Sequence, residues 1–283
     1  MQLLPGQQAV LRYVDERRCD DGGYCFYRLN EPNAGDTRYA LSIRARLGTV
    51  SADPATAAFL QSMQRPDGSF PNIFVAVHTL AGLALLGATP LHDPAEYILA
   101  RLADLRDSER PPEQLSALEG VLAAVEACRL AGAPLDPVTS DTVLRRVRSL
   151  RHPDGGFGAG LSTLAETADA VALLTLLGRP NEAAGALAFV ASAGEPRDGL
   201  IYIEPAAALV RASLLLRQRP RAPERIRAFV LGLHHHSGGF VRSRYGGSPA
   251  LEYTFLAVDT LAGLDALETS SEPSLHDLWE QCP

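Results

Sequence analysis

Lysine is absent from the 283-residue chain, and all 26 of its Lys and Arg positions are arginine. The absence excludes a Schiff-base lysine, a lysine carrying pyridoxal or biotin, and the lysine of a phosphate-binding P-loop. Any recognition of anions falls to arginine, whose planar fork matches carboxylates and phosphates. A basic surface is missing as well. The net charge is −7 and the isoelectric point is near 5.5, which argues against DNA or RNA as a partner. No apolar run approaches the roughly 20 residues that a membrane span needs. The opening Met1-Gln2-Leu3-Leu4-Pro5-Gly6 lacks a basic region followed by an apolar core. A cytoplasmic chain without a signal peptide is therefore expected. The four cysteines, Cys19, Cys25, Cys128 and Cys282, form neither a CxxC pair nor a dense framework, which predicts free thiols. Sustained period-2 alternation is also lacking, so strands are not expected.

What the chain does have is a repeat. Asp21-Gly22-Gly23-Tyr24, Asp67-Gly68-Ser69-Phe70, Asp154-Gly155-Gly156-Phe157, Asp198-Gly199-Leu200-Ile201 and Ser237-Gly238-Gly239-Phe240 are copies of one turn. Their starts are 46, 87, 44 and 39 residues apart, and the gap of 87 spans two units. A degenerate copy is thus expected near Arg110-Pro111. Six units of about 44 residues nearly fill the chain.

Each unit reads as two helices. An amphipathic helix precedes the turn, and Asp53-Pro54, Asp93-Pro94 and Asp136-Pro137 place an N-cap acceptor before a proline at the first helical position. A more apolar helix follows the turn and ends at glycine, as in Phe74 to Gly87, Glu166 to Gly178 and Glu252 to Gly263. A helix apolar on most sides is buried on most sides. The expected fold is all-α: a single α6/α6 toroid over 1–283. Its repeats lie near 7–48, 53–88, 93–132, 137–179, 181–217 and 222–267, with a terminal segment at 268–283. A closed ring is preferred to an open solenoid, whose ends would need caps.

Phe59-Leu60-Gln61-Ser62-Met63-Gln64-Arg65-Pro66-Asp67-Gly68-Ser69-Phe70 resembles the Gln-and-aromatic repeat of triterpene cyclases. Gly155-Gly156-Phe157-Gly158 and Gly238-Gly239-Phe240 resemble the repeats of protein prenyltransferase β subunits. Both groups belong to one superfamily of α/α toroids. The resemblance implies a deep central cavity lined by aromatics that holds an isoprenoid. Inner-helix N-termini, which favour anions, would face a diphosphate head group.

Two departures stand out. Prenyltransferases hold zinc with an Asp-x-Cys pair and a later His. Asp36 matches the Asp and Arg28 a diphosphate-binding Arg, but Arg38 stands at the Cys, and a guanidinium cannot ligate zinc. His78 falls about one helical turn too late for the family His, and Cys25 is wrongly spaced. No metal ligand is assigned, and zinc or magnesium remains an open option. Cyclases use Asp-x-Asp-Asp-Thr-Ala, whose middle Asp protonates the substrate. Thr163-Leu164-Ala165-Glu166-Thr167-Ala168 lies over it with Ala165 at the donor, and Asp36-Thr37 matches likewise with Gly35 there.

The candidate acid/base residues are Asp36, His78, Glu166, Glu252 and Asp259. Asp36, Glu166 and Glu252 begin inner helices, so they either cap them or ring a cavity mouth. His78 and Asp259 occupy matching places in Phe74-Val75-Ala76-Val77-His78 and Phe255-Leu256-Ala257-Val258-Asp259. They are either satisfied core groups or an acid/base couple. Arg28, Arg38, Arg242, Arg244 and Tyr245 form a candidate anion clamp between the first and last units. Tyr39, Phe74, Tyr253 and Phe255 would face carbocations through their ring quadrupoles. His234-His235-His236 reads as an exposed loop.

The leading expectation is an enzyme acting on an isoprenoid or similarly apolar ligand by prenyl transfer or cyclisation. A second is a non-redox cyclase or isomerase of another amphipathic metabolite, using His78 and a carboxylate. A third is a non-catalytic ligand-binding or partner subunit, paired with a helical subunit as prenyltransferase β subunits are, or with a second copy.

Overall fold

The computed structural model describes residues 6–27, 30–105, 116–193 and 200–269. Arg28, the expected degenerate turn near Arg110-Pro111, the Asp198 turn, Trp279 and Cys282 lie outside the described residues. Outer and inner helices alternate along the chain. The outer layer is α1 (Gln7–Asp15), α3 (Pro54–Ser62), α5 (Ala95–Leu105), α7 (Pro137–Ser149), the pair α9 (Pro180–Ala183) and α10 (Leu187–Ala193) joined by a 3-10 turn, and α12 (Pro223–Leu231). The inner layer is α2 (Ala34–Arg46), α4 (Ile73–Leu85), α6 (Glu119–Leu130), α8 (Leu164–Leu176), α11 (Ile203–Leu215) and α13 (Leu251–Thr269).

Local chemistry starts these helices. The Asp53 carboxylate accepts the Ala55 and Thr56 N–H groups, and the Asp136 carboxylate accepts those of Val138 and Thr139. Proline occupies the first turn of α3 and α7. Asp93 takes the Ala95 N–H ahead of α5. Part of the donors that a helix N-terminus leaves unpaired is thereby satisfied in α3, α5 and α7.

Inner helices pack side by side in chain order, α2 on α4, α4 on α6, α6 on α8, α8 on α11 and α11 on α13, and α13 returns to α2. The fold is therefore a closed α6/α6 toroid. The apolar face that an open array would leave bare at its last unit is covered by the first unit instead. One apolar core runs around the ring between the layers, with a satellite of Leu41, Phe59, Leu60 and Leu83 in the first two units.

The recurring turn explains itself in space. Gly155 and Gly238 adopt φ of +88° and +98°, a region that favours glycine. A β-carbon on Gly155 would overlap the carbonyl oxygen of Gly185, and one on Gly238 would overlap that of Ala9. Each turn thus docks backbone to backbone on the outer layer of the next unit. The aromatic that ends the turn is buried and pinned to the next inner helix. Tyr24, Phe157 and Phe240 donate their backbone N–H to the hydroxyls of Thr37, Thr167 and Thr254 at 3.0, 2.9 and 3.0 Å.

One expected helix end is corrected. Gly263 does not terminate α13, which runs on to Thr269. A β-carbon there would press on Val210 and Leu214 of α11, so this glycine serves close helix packing rather than termination.

Candidate active site at the centre of the ring

The inner-helix N-termini carry carboxylates with two kinds of work. Asn33 Oδ1 accepts the Asp36 N–H at 2.8 Å, and its amide donates to the Asp36 carboxylate at 2.6 Å. Glu166 accepts the Thr163 hydroxyl and the Ala159 N–H, both at 3.0 Å, while Thr163 Oγ1 caps the Glu166 N–H. Both acids are buried and close reciprocal caps on α2 and α8. Burial pushes the Asp36 carboxyl up, against the pull of Asn33 and Arg17. Glu252 is also pushed up, by burial first and then by the charges of Glu204 and Asp36.

Each of the described candidate arginines has a neighbourhood of its own. Arg242 bonds Glu204 through Nε at 2.5 Å and lies 5.2 Å from the Tyr202 ring centre. Arg244 donates to the Tyr245 hydroxyl at 3.2 Å, and Tyr245 is 73% exposed. Arg38 lies over aromatic rings of α2 and α13.

Those rings form a wall on three consecutive inner helices. Tyr39 of α2 stacks on Phe255 of α13 with ring centres 5.5 Å apart, and meets His78 of α4 edge-on, also at 5.5 Å. The Arg38 guanidinium stands 5.5 Å from the Phe255 centre and 5.9 Å from that of Tyr39. Phe74 and Tyr253 are half-buried on α4 and α13. Burial, reinforced by Arg38, lowers His78 to a pKa of about 3, so its imidazole is neutral at physiological pH. Its Nδ1 is buried without a hydrogen-bond partner. Burial and the Glu252 charge hold the Tyr39 phenol well above its usual range.

His78 and Asp259 are not partners: Asp259 accepts from Arg46 Nε at 2.8 Å. The matching stretches equate them in sequence, but Phe74 is the second residue of α4 and Phe255 the fifth of α13. Three residues amount to about 4.5 Å along a helix, so equivalent residues sit at different depths.

The opposite side of the ring carries charge. On α6, Glu119, Ala123, Glu126 and Leu130 share one face at helical spacing. Glu126 is partly buried and retains accessible surface. Arg38 of α2, Arg211 of α11, Arg129 and Asp169 of α8 all act on it through charge. Burial pushes its carboxyl up, and the arginines oppose that shift. Arg211 and Asp169 are ion-paired. An aromatic wall on α13, α2 and α4 thus stands on one side of the ring, and the charged groups Glu126, Arg129, Asp169 and Arg211 of α6, α8 and α11 stand on the other, while Arg38, Arg46, Glu252 and Asp259 carry charge on the aromatic side as well. Glu126 and Asp169 were legible as acids in the apolar middle of their helices, the signal that marks His78. The degenerate turn before α6 left Glu126 unanchored to the repeat.

Neither zinc nor magnesium finds a ready site. Among the described residues no three His, Cys, Asp or Glu side chains gather to hold a metal ion. Asp36 is engaged by Asn33, Arg38 is no ligand, and Cys25 donates to the carbonyls of Arg17 and Tyr27. The prenyltransferase zinc site does not fit these residues.

A family model described as the prenyltransferase alpha-alpha toroid domain matches residues 4–79, 72–200 and 200–282. Two substituted forms of the type II terpene cyclase MstE from Scytonema, each in complex with geranylgeranyl dihydroxybenzoate as substrate, are similar in structure. Their TM-scores are 0.57 and 0.56 at 12% identity, over 93% of this chain and 97% and 96% of theirs. A protein from Actinoplanes is similar with a TM-score of 0.51 and 16% identity, over 94% of this chain and all of that one. At these identities the likeness is one of fold. No curated protein matches in sequence. Among the described residues no helix is long and apolar enough to cross a membrane.

Proposed function

The chain belongs to the prenyltransferase alpha-alpha toroid family, and we propose that it is an enzyme that cyclises an isoprenoid-bearing substrate at the centre of its ring. The observation that carries this reading is the wall of Tyr39, Phe255 and His78 with the Arg38 guanidinium over its rings. An isoprenoid chain suits the Tyr39, Phe255 and Phe74 side, where ring faces stabilise carbocations. A polar or anionic head suits Arg38, whose guanidinium stands over those rings. The substrate held by MstE, an isoprenoid joined to a dihydroxybenzoate, has this amphipathic form.

Cyclisation moves protons and carbon–carbon bonds without redox chemistry, so it needs an acid, a base and a dry pocket. His78 supplies the base: it is uncharged, and its place in the aromatic wall puts it beside the cation that must finally lose a proton. Cyclisation is favoured over prenyl transfer to a thiol because the zinc that would activate the thiol does not fit these residues. The charged groups on α6, α8 and α11 also favour a second reading, in which the same groups isomerise an amphipathic metabolite that has no isoprenoid chain.

Purified protein is to be incubated with farnesyl and geranylgeranyl chains bearing benzoate, carboxylate or diphosphate heads. A cyclised product of unchanged mass is expected by mass spectrometry. Its rate should fall at least about tenfold in Tyr39→Leu and Phe255→Leu, consistent with losing roughly 1–2 kcal/mol of cation–π stabilisation. Failure of every isoprenoid to bind or react, with a non-isoprenoid metabolite co-purifying, would overturn it in favour of the second reading.

A further inference from the structure

Resting on the cyclase reading above, we propose that the Arg46–Asp259 ion pair is the floor of the substrate pocket and limits how long an isoprenoid chain the enzyme accepts. The heights of groups on the inner helices carry this assignment. Thr37 of α2 and Thr254 of α13 each accept the N–H of a turn aromatic, so they mark one height on two neighbouring helices. Tyr39 and Phe255 stand just below that mark, and their rings stack. Asp259 lies four residues beyond Phe255, on the same helix face and about 6 Å deeper. Arg46 lies seven residues beyond Tyr39, again on the same face, and is the last residue of α2. A helical side chain leans toward its own N-terminus, so Arg46 reaches back up that face. It meets Asp259 Oδ1 through Nε at 2.8 Å. The ion pair thus lies beneath the stacked rings, on the same two helices.

A second pair continues the level. Arg211 follows Tyr202, the residue before α11, by as many positions as Asp259 follows Ala250, the residue before α13. The two therefore sit at one height, and Arg211 pairs with Asp169 of α8. Asp259 and Arg211 stand mid-helix yet keep 26% and 39% of their side-chain surface. Neighbouring helices and the outer layer cover the other sides of an inner helix, so the open side is the centre of the ring. Below this charged level the faces turn apolar again. Half-buried Leu85, Leu130 and Leu215 end α4, α6 and α11, on the faces that carry His78, Glu126 and Arg211.

Stability alone does not select ion pairs at such a level. Apolar side chains of similar volume in their place are often neutral or stabilising, because two charges lose hydration there. In a pocket the pair does what apolar side chains do not. A hydrocarbon chain that pushes past it strips water from both ions and offers them no partner. The chain is thereby held at the height of Tyr39, Phe255 and His78. A chain longer than the space above the floor has to fold back on itself, which brings its alkenes together for ring closure.

The test is a binding series on the full chain, with geranyl, farnesyl, geranylgeranyl and geranylfarnesyl dihydroxybenzoates as probes and calorimetry as the readout. In the wild type, affinity should rise with chain length up to a limit and fall at least about tenfold at the next member. Arg46→Ala with Asp259→Ala removes both charges and opens the way to the leucines. This variant should bind the first chain past the limit at least about tenfold tighter than the wild type does, a modest share of what burying five more carbons supplies. Arg46→Met with Asp259→Leu keeps the volume and protects the fold, and it should move the limit in the same direction. Arg148→Ala with Glu182→Ala, an ion pair of the outer layer, should leave the limit in place. Affinity that rises without a break through the geranylfarnesyl member, or a limit that neither floor variant moves, overturns the proposal, and turnover in that case leaves the cyclase reading standing. A limit that moves in the floor variants without any turnover upholds the floor and ends the cyclase reading. Failure of every member to bind overturns both.

Discussion

The α-carbon of Gly238 lies against the backbone carbonyl of Ala9, close enough that no β-carbon fits between them. The two residues come from the last and first units, and their contact helps to close the ring. Gly22 meets Ala55 and Gly155 meets Gly185 in the same way. The closing seam therefore reuses an internal seam, and the toroid closes without a special element.

Gly238→Ala should destabilise the protein far more than Gly48→Ala. Both glycines have positive φ, but Gly48 faces open space. We expect about 1 kcal/mol at Gly48 from backbone strain alone, and more than about 3 kcal/mol at Gly238, where a backbone overlap is added. Denaturant unfolding of the two variants checks this, and equal costs would remove the seam from the account.

Thr254→Val should cost roughly 1–3 kcal/mol, because the buried Phe240 N–H loses its acceptor without access to water. Thr175→Val is the control. Its hydroxyl bonds only a carbonyl of its own helix, so the change should stay within about 1 kcal/mol.

His78 makes stability depend on pH in a defined window. Its pKa is about 3 folded and 6.5 unfolded, so the unfolded chain binds the extra proton between those values. Stability therefore falls as pH drops from 6.5 toward 3, at up to about 1.4 kcal/mol per pH unit. His78→Gln should show a shallower fall across this window in unfolding experiments run at several pH values. Identical slopes would mean that the imidazole is not buried uncharged.

Glu126 has the opposite sign. A carboxyl whose folded pKa is raised costs stability as pH climbs from the unfolded value through the folded one. Glu126→Gln should therefore raise Tm at pH 8 and change it little at pH 4. A lower Tm at pH 8 would show that Glu126 is instead a favourable ionised partner of Arg38 and Arg211.

The repeat was readable because it is built from local chemistry. Aspartate before proline, glycine at positive φ and a buried aromatic after the turn act within a few residues, and they recur at near-constant spacing. Helix pairs and the ring followed from that pattern alone, and it singled out Asp36, Glu166 and His78 as candidates. The pattern did not separate a cap from a catalytic acid, because Asn33 and Thr163 bond Asp36 and Glu166 only in the folded geometry. Nor did it show that Asp259 belongs to Arg46 rather than to His78, since depth in the ring depends on where each helix starts.

By itself, then, the sequence determined six helix pairs, their closure into a toroid and an arginine-only supply of positive charge. Tertiary structure alone decided that Tyr39, Phe255 and His78 form one wall beneath Arg38, and that Arg38 and Arg211 both act on Glu126 through charge. The reason is physical. Turn and cap contacts join neighbours in sequence and leave a period behind. The charge interactions at Glu126 join residues from units one, three, four and five, which no local spacing relates.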